Sequence, residues 1–257
     1  MPLPLGHYTR SRPLAHYEKK FGSDAIKRFI AERRPACPNQ RILEIGCGEG
    51  RVLLELHKLF PGLELHGINK KPWPAMTGTQ SLLEIARHHG IYALDEIDVA
   101  TLPQMHFYDA CKLDFPDNYF DLIISQVCFP YISRKDLLLE DVWRSLKVGG
   151  KALLELDCRR SAPEADFLTG DAPCFIIYNG HQRLPLSEFF VRLQRSGVQL
   201  QYHSATHALV LVKSSETALR LGLTFDEISS FELSRLQDEA TDPRFWGFRS
   251  VFRLMET

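Results

Sequence analysis

Short apolar runs alternate with amphipathic stretches along residues 41–157. RILEI (41–45) is a short apolar strand pattern. GRVLLELHKLF (50–60) repeats apolar positions at helical spacing and stops at Pro61-Gly62. LELHGI (63–68) predicts a second strand, and SLLEIARHHG (81–90) a helix closed by Gly90. MHFYDA (105–110) is strand-like, and FDLIISQV (120–127) is the most apolar strand of the set. RKDLLLEDVWRSLKVGG (134–150) predicts a helix closed by a glycine pair, followed by the strand KALLELD (151–157). Such alternation is the pattern of a parallel sheet covered by helices on both faces. Right-handed crossovers follow, with ligands held at the carboxyl ends of the strands.

The flanks are less regular. Residues 1–15 hold three prolines and little periodicity, which predicts an arm or loop. YEKKFGSDAIKRFIAERR (17–34) reads as one helix, broken by PACPNQ. After residue 157, CFIIYNG (174–180) reads as a strand and PLSEFFVRLQRSG (185–197) as a helix with a glycine cap. VQLQYHS and HALVLVKS predict two strands joined near Ser204–Thr206, forming an antiparallel edge. The expectation is one α/β domain with a seven-stranded, mostly parallel, Rossmann-like sheet. Its parts are an N-terminal helical arm (1–40), a core (41–157), the remainder of the sheet (158–213) and a C-terminal addition (214–257).

Composition narrows the function classes. The chain has 257 residues, 44% apolar and 25% charged, as in ordinary globular proteins. A formal net charge of −1 gives no global basic field, which argues against a dominant duplex-binding role. Local basic pairs remain at Lys70-Lys71 and Arg159-Arg160, and both read as solvated surface. The six cysteines show neither C-x-x-C spacing nor a His at zinc-finger spacing, so no metal site is expected and they read as reduced thiols. No stretch approaches the ~20 apolar residues of a membrane span, and the N-terminus lacks a signal-length apolar run; cytoplasmic location is the expectation.

The strand RILEI runs into a glycine loop, ILEIGCGEG (42–50). Glycines after a strand let backbone approach a ligand closely, and the next helix offers its first N–H groups. A dinucleotide fingerprint, G-x-G-x-x-G, counted from Gly46 puts Arg51 where its third glycine belongs. An arginine there hinders both close helix–strand packing and the approach of a pyrophosphate, which weakens a dehydrogenase reading.

What stands instead is E-x-G-x-G-x-G, from Glu44 through Gly46, Gly48 and Gly50. This resembles the first motif of class I S-adenosylmethionine-dependent methyltransferases. The chemistry suits that cofactor, which has no phosphate but carries two cationic centres and a carboxylate. Three further blocks resemble the family in the family's order. MHFYDA ends in Asp109-Ala110, where the resemblance implies a carboxylate for the adenine amino group and a backbone N–H for a ring nitrogen. FPDNYFDLIISQ (115–126) resembles the turn and fourth strand beside the cofactor, which brings in Ser125 and Gln126. VWRSLKVGGKALLELD (142–157) resembles the helix, glycine turn and fifth strand. Cys47 and Cys111 lie in or next to the cofactor-facing loops, where small size explains them. The implied cofactor is S-adenosyl-L-methionine, leaving S-adenosyl-L-homocysteine as product.

The sequence departs from this family at the end of the second strand. A carboxylate that grips both ribose hydroxyls is expected there, and the chain has Asn69, 21 residues beyond Gly48. Asn69 reads either as a ribose contact, assisted by Glu49 or Lys70, or as a turn residue after a strand. Residues 70–104 exceed a minimal crossover, and Trp73 in KPWPAMTG reads equally as a ligand cover or a surface plug.

Methyl transfer is an in-line displacement in which proximity and orientation do much of the work. A general base is needed only for a protonated nucleophile, so no catalytic residue is assigned. Adenine-directed relatives carry an Asn or Asp, two prolines and an aromatic after the fourth strand. SQVCFPYIS (125–133) keeps only Pro130 and Tyr131 of that set, so the resemblance is to the small-molecule branch. Candidate acceptor residues are Tyr17, Phe129 and Tyr131, with Tyr8, His16 and His181 as further possibilities and Cys128 as a remote covalent one. The leading expectation is methyl transfer to a small molecule, with no nucleic-acid or membrane partner. Two alternatives stay open. One is a silent cofactor-binding scaffold. The other is an RNA or protein methyltransferase using Arg244, Phe245, Trp246, Phe248 and Arg249 as a stacking platform.

Overall fold

Gly22 divides the N-terminal helical stretch. The computed structural model describes residues 12–69, 79–92, 98–129, 132, 134–156, 177–180 and 182–224. In it α1 spans Leu14–Phe21 and α2 spans Ala25–Arg33, in place of the single helix expected over 17–34. Gly22 sits at φ 114°, a value L side chains rarely adopt, and ends α1. The next elements are β1 (Arg41–Ile45), α3 (Arg51–Leu59), β2 (Glu64–Asn69), α4 (Thr79–His88), β3 (Gln104–Phe107) and β4 (Phe120–Ser125). Then follow α5 (Lys135–Ser145), β5 (Leu146–Glu155), β6 (Tyr178–Asn179), β7 (Gln182–Arg183), α6 (Leu186–Arg195), β8 (Gln199–His203) and β9 (Ala208–Val212). The expected seven-stranded sheet is present, mostly parallel with an antiparallel C-terminal edge, in the order β3-β2-β1-β4-β5-β9-β8. None of the helices among the described residues is long and apolar enough to cross a membrane.

Two compact units make up the chain, Met1–Ala110 with Phe120–Ser125, and Cys111–Tyr119 with Gln126–Thr257. In the first, β1 lies between β2 and β4, and all pairings are parallel. Glu44 pairs with Gly67 on one side and Ile124 on the other, and Asn69 pairs with Phe107. These strands are apolar on both faces: Ile42, Leu43, Leu122, Ile123 and Ile124 are all fully buried. Gly67 is required by close approach. A Cβ there would lie 2.6 Å from Cys47 Sγ and 2.9 Å from Leu53 Cδ1, so the loop and α3 rest directly on the backbone of β2.

α1 is bound to its neighbours by carboxylates. Glu18 accepts from the N–H groups of Ile26 and Lys27 at 3.1 and 3.0 Å, capping α2 from the preceding helix. Asp24, the residue at the N-cap position, is left-handed and makes no side-chain cap. At the other end, Leu14 N–H donates to Glu55 Oε2 at 2.6 Å, and Glu55 Oε1 pairs with Arg51 at 2.9 Å.

In the second unit, α5 stops at Ser145 and β5 begins at once, correcting the helix expected over 134–150. The buried Lys213 ammonium is the physical reason. It donates to the carbonyls of Leu146 and Arg144, at 2.7 and 3.4 Å, and to Asn118 Oδ1. The glycine pair lies inside the strand: Gly149 donates to Lys213, and Lys213 N–H donates back to Gly150. β5, β9 and β8 form an antiparallel ladder, with Leu153 opposite Val210 and Gln201 opposite Val210 in turn. The strand expected over 174–180 is described only as β6, in a two-residue hairpin with β7.

Candidate functional site

The strand order of the first unit reverses at β1, and ligands of such sheets gather beyond the strand ends at that point. The loop leaving β1 is anchored where the N–H groups of Gly46 and Cys47 both donate to Ile68 C=O, at 2.8 and 3.2 Å. Gly46, Gly48 and Gly50 have φ values of 75°, 56° and 77°, so the loop reverses through three left-handed positions. Gly50 opens onto the side chains of Leu82 and Met105. Nothing lies within 4 Å of a Cβ built on Gly48, so the loop presents bare backbone over open space there. Ser125 Oγ, at the end of β4, donates to Ile45 C=O at 3.0 Å and fixes the end of β1.

Glu44 is buried beneath this loop. Its Oε1 accepts the Tyr17 hydroxyl from α1. Its Oε2, equally buried, has no hydrogen-bond partner among the described residues. Burial pushes its carboxyl up to about 8, the Glu55 charge adds to the rise, and the Tyr17 hydrogen bond opposes it. Burial and the Glu44 carboxylate hold the Tyr17 phenol well above its usual range, so it remains a donor. An unmatched carboxylate oxygen in a site of this kind fits a cationic group such as an ammonium.

Asn69 takes up a different position from a free ribose contact. Its Oδ1 accepts Gly48 N–H at 3.0 Å, and its Nδ2 donates to Gly48 C=O at 2.7 Å. Its own carbonyl accepts Tyr108 N–H at 2.9 Å, so one residue joins the ends of β2 and β3 to the glycine loop. Asp109 is exposed and Ala110 is buried just beyond β3. Glu49 is buried with Oε2 3.8 Å from Nε2 of His89, just past α4. Arg51, which displaces a third fingerprint glycine, is paired with Glu55.

In the second unit, Gln126 and Phe129 are buried, and Cys111 and Cys128 are partly exposed. Sequence reasoning missed Val127 and Glu155. Val127 holds φ 64°, which is costly for a β-branched residue, and its N–H donates to Glu155 Oε2 at 3.2 Å. No pattern in VCFP signals a left-handed valine, and Glu155 reads as one more strand residue. His16 is exposed. Lys70, Trp73, Tyr131, Tyr8, His181, Lys71, Arg159, Arg160 and the segment with Arg244, Phe245, Trp246, Phe248 and Arg249 lie outside the described residues. Among the described residues no cluster of three or more His, Cys, Asp or Glu is arranged to hold a metal ion.

A family described as a methyltransferase domain matches residues 43–154. The ubiquinone/menaquinone biosynthesis C-methyltransferase of Vibrio cholerae is 31% identical over 131 residues, which are 50% of this chain and 45% of that protein. Phosphoethanolamine N-methyltransferase 3 of Arabidopsis thaliana is 27% identical over 169 residues, 62% of this chain and 31% of that protein. The chain thus spans less than half the length of these curated relatives. Among solved structures, a phosphoethanolamine N-methyltransferase 2 of Haemonchus contortus, in complex with phosphomonomethylethanolamine and S-adenosylhomocysteine, aligns at TM-score 0.44. It is 21% identical, and the alignment covers 95% of this chain and 54% of that one.

Proposed function

We propose that this chain, whose residues 43–154 match a methyltransferase domain family, is a class I S-adenosylmethionine-dependent methyltransferase that transfers a methyl group to a small-molecule acceptor. The observation that carries the cofactor half is the unmatched Glu44 Oε2 beneath bare backbone at Gly48. When bound, S-adenosylmethionine supplies an electrophilic methyl group on a sulfonium.

The chain's own residues then bind and orient. Glu44 Oε2 takes the cationic amino group, and the loop from Gly46 to Gly50 lets the amino-acid portion lie against backbone. Asn69 holds that loop in shape through Gly48. It reaches the ribose only with whatever accepting capacity its Oδ1 retains. Asp109 and Ala110 serve the adenine edge, the carboxylate accepting from the amino group and the N–H meeting a ring nitrogen. Orientation of the two reactants is the main contribution these residues make to rate.

The acceptor half rests on two supports. One relative is named for ubiquinone and menaquinone biosynthesis and another for phosphoethanolamine, both small molecules. The run Cys128-Phe129-Pro130-Tyr131 also lacks the amide or acid that an adenine amine would need. The test has two stages. Calorimetry should show S-adenosylhomocysteine binding and no binding of nicotinamide dinucleotides; the reverse result ends the cofactor reading. Labelled methyl transfer from S-adenosylmethionine to quinone-ring, phosphoamine and RNA acceptors then follows. Transfer confined to RNA would overturn the small-molecule reading.

A further inference from the structure

Tyr17 and Glu44 are joined under the glycine loop in a way that the cofactor reading leaves unexplained. A buried carboxylate with one oxygen taken and the other unmatched is an expensive arrangement for the folded chain alone. Among the described residues, these groups act on the Tyr17–Glu44 pair. From α1 comes the Tyr17 hydroxyl, with Arg12 ahead of that helix. From α3 comes Glu55, already paired with Arg51 and with Leu14 N–H. From the loop comes the Cys47 thiol. Arg51 is held by Glu55, and Glu44 Oε2 has no hydrogen-bond partner, cationic or neutral, among the described residues.

We propose that Tyr17 is a positioning residue of this site: its hydroxyl occupies Glu44 Oε1 and turns Oε2 toward the ligand's ammonium, and ligand binding there expels a proton from Glu44. This rests on the cofactor reading above and deepens it. Without ligand, the carboxyl holds its proton at neutral pH, because burial and the Glu55 charge both disfavour ionisation. An ammonium at Oε2 reverses that balance. The carboxyl O–H bond breaks, the proton leaves to solvent, and a carboxylate–ammonium pair remains. Tyr17 keeps its own proton throughout, since its phenol titrates well above the usual range. The sign follows from linkage. The free protein holds the extra proton below about 8, so affinity rises with pH up to that value and levels off above it.

The experiment is isothermal titration calorimetry of the full chain with S-adenosylhomocysteine from pH 6 to 9, in buffers of different ionisation enthalpy. At pH 7 binding should release close to one proton, and the association constant should rise by up to about tenfold per pH unit below 8. 5′-Methylthioadenosine, which lacks the amino group, should bind without release. Glu44→Gln should abolish release and reports the ligand's own titration. Tyr17→Phe removes a hydrogen bond that favours the ionised carboxylate, so its release window should move to higher pH. Its affinity should fall more at pH 7 than at pH 9. A tyrosine that only supports packing would weaken binding by one factor at every pH, which would overturn the proposal. So would wild-type binding without proton release. Failure of S-adenosylhomocysteine to bind at any pH would instead sink the cofactor reading beneath it.

Discussion

Asn69 and Gly48 face each other as a two-point amide pair, with the side chain of one satisfying both backbone groups of the other. An aspartate could accept from Gly48 N–H but could not donate to Gly48 C=O. Its second oxygen would instead meet a carbonyl at about the 2.7 Å now bridged by Nδ2. Asn69→Asp should therefore lower stability by about 1–3 kcal/mol and weaken S-adenosylhomocysteine binding, read by urea denaturation and calorimetry. A ribose role for this position predicts the opposite, since a carboxylate grips two hydroxyls. Equal or tighter binding by the aspartate variant would show that ribose contact, not the loop clamp, decides the residue.

Gly67 and Cys47 set a second close fit. Gly67→Ala would place a Cβ 2.6 Å from Cys47 Sγ and 2.9 Å from Leu53 Cδ1 in a close-packed interior. Overpacking of this kind should cost about 1–3 kcal/mol. Adding Cys47→Ala removes the sulfur but leaves its Cβ at 3.0 Å, so the double variant should recover only part of the loss. Additive costs in a double-mutant cycle would mean the two residues do not meet as described.

Much of the fold is legible in the sequence because parallel strands buried on both faces read as apolar runs with sharp ends. RILEI is a strand with the bounds expected of it, and VQLQYHS and HALVLVKS form the antiparallel edge. The misread end of α5 has its cause in long-range polar contacts, whereas the break at Gly22 is local. Lys213 takes the carbonyls that would have continued α5, and no local pattern in LKVGG announces a lysine 67 residues away. The glycine loop is legible as a motif, but the partners of its residues are not. The Tyr17–Glu44 bond spans 27 positions and the Asn69–Gly48 pair 21.

Glu18 illustrates the same limit at a helix end. Asp24 stands at the N-cap position of α2, whereas the cap comes from Glu18 across the α1–α2 turn. Glu18→Ala leaves two N–H groups without their acceptor and should cost about 1–2 kcal/mol. Asp24→Ala removes exposed contacts, chiefly the pair with Lys27, and should be near neutral. Equal losses for the two variants, measured by chemical denaturation, would reject the assignment.

Glu44 also leaves a signature on the stability of the protein without ligand. Its carboxyl titrates near about 8 when folded, against an ordinary 4.5. Between those values the folded chain keeps a proton that the unfolded chain has released. The associated stability is complete below about 4.5 and is lost as pH rises through about 8. Glu44→Gln keeps an acceptor for the Tyr17 hydroxyl but cannot titrate. The stability of the wild type relative to this variant should therefore fall from pH 5 to pH 8, by at least about 1.4 kcal/mol, the equivalent of one pKa unit. Other titrating groups are shared and cancel in the difference. Parallel stability curves from pH 5 to 8 would mean that Glu44 is ionised in the folded protein, with a cation or solvent already matched to Oε2. Saturating S-adenosylhomocysteine should flatten the wild-type decline, because binding tightens over the same range in which the unliganded protein weakens.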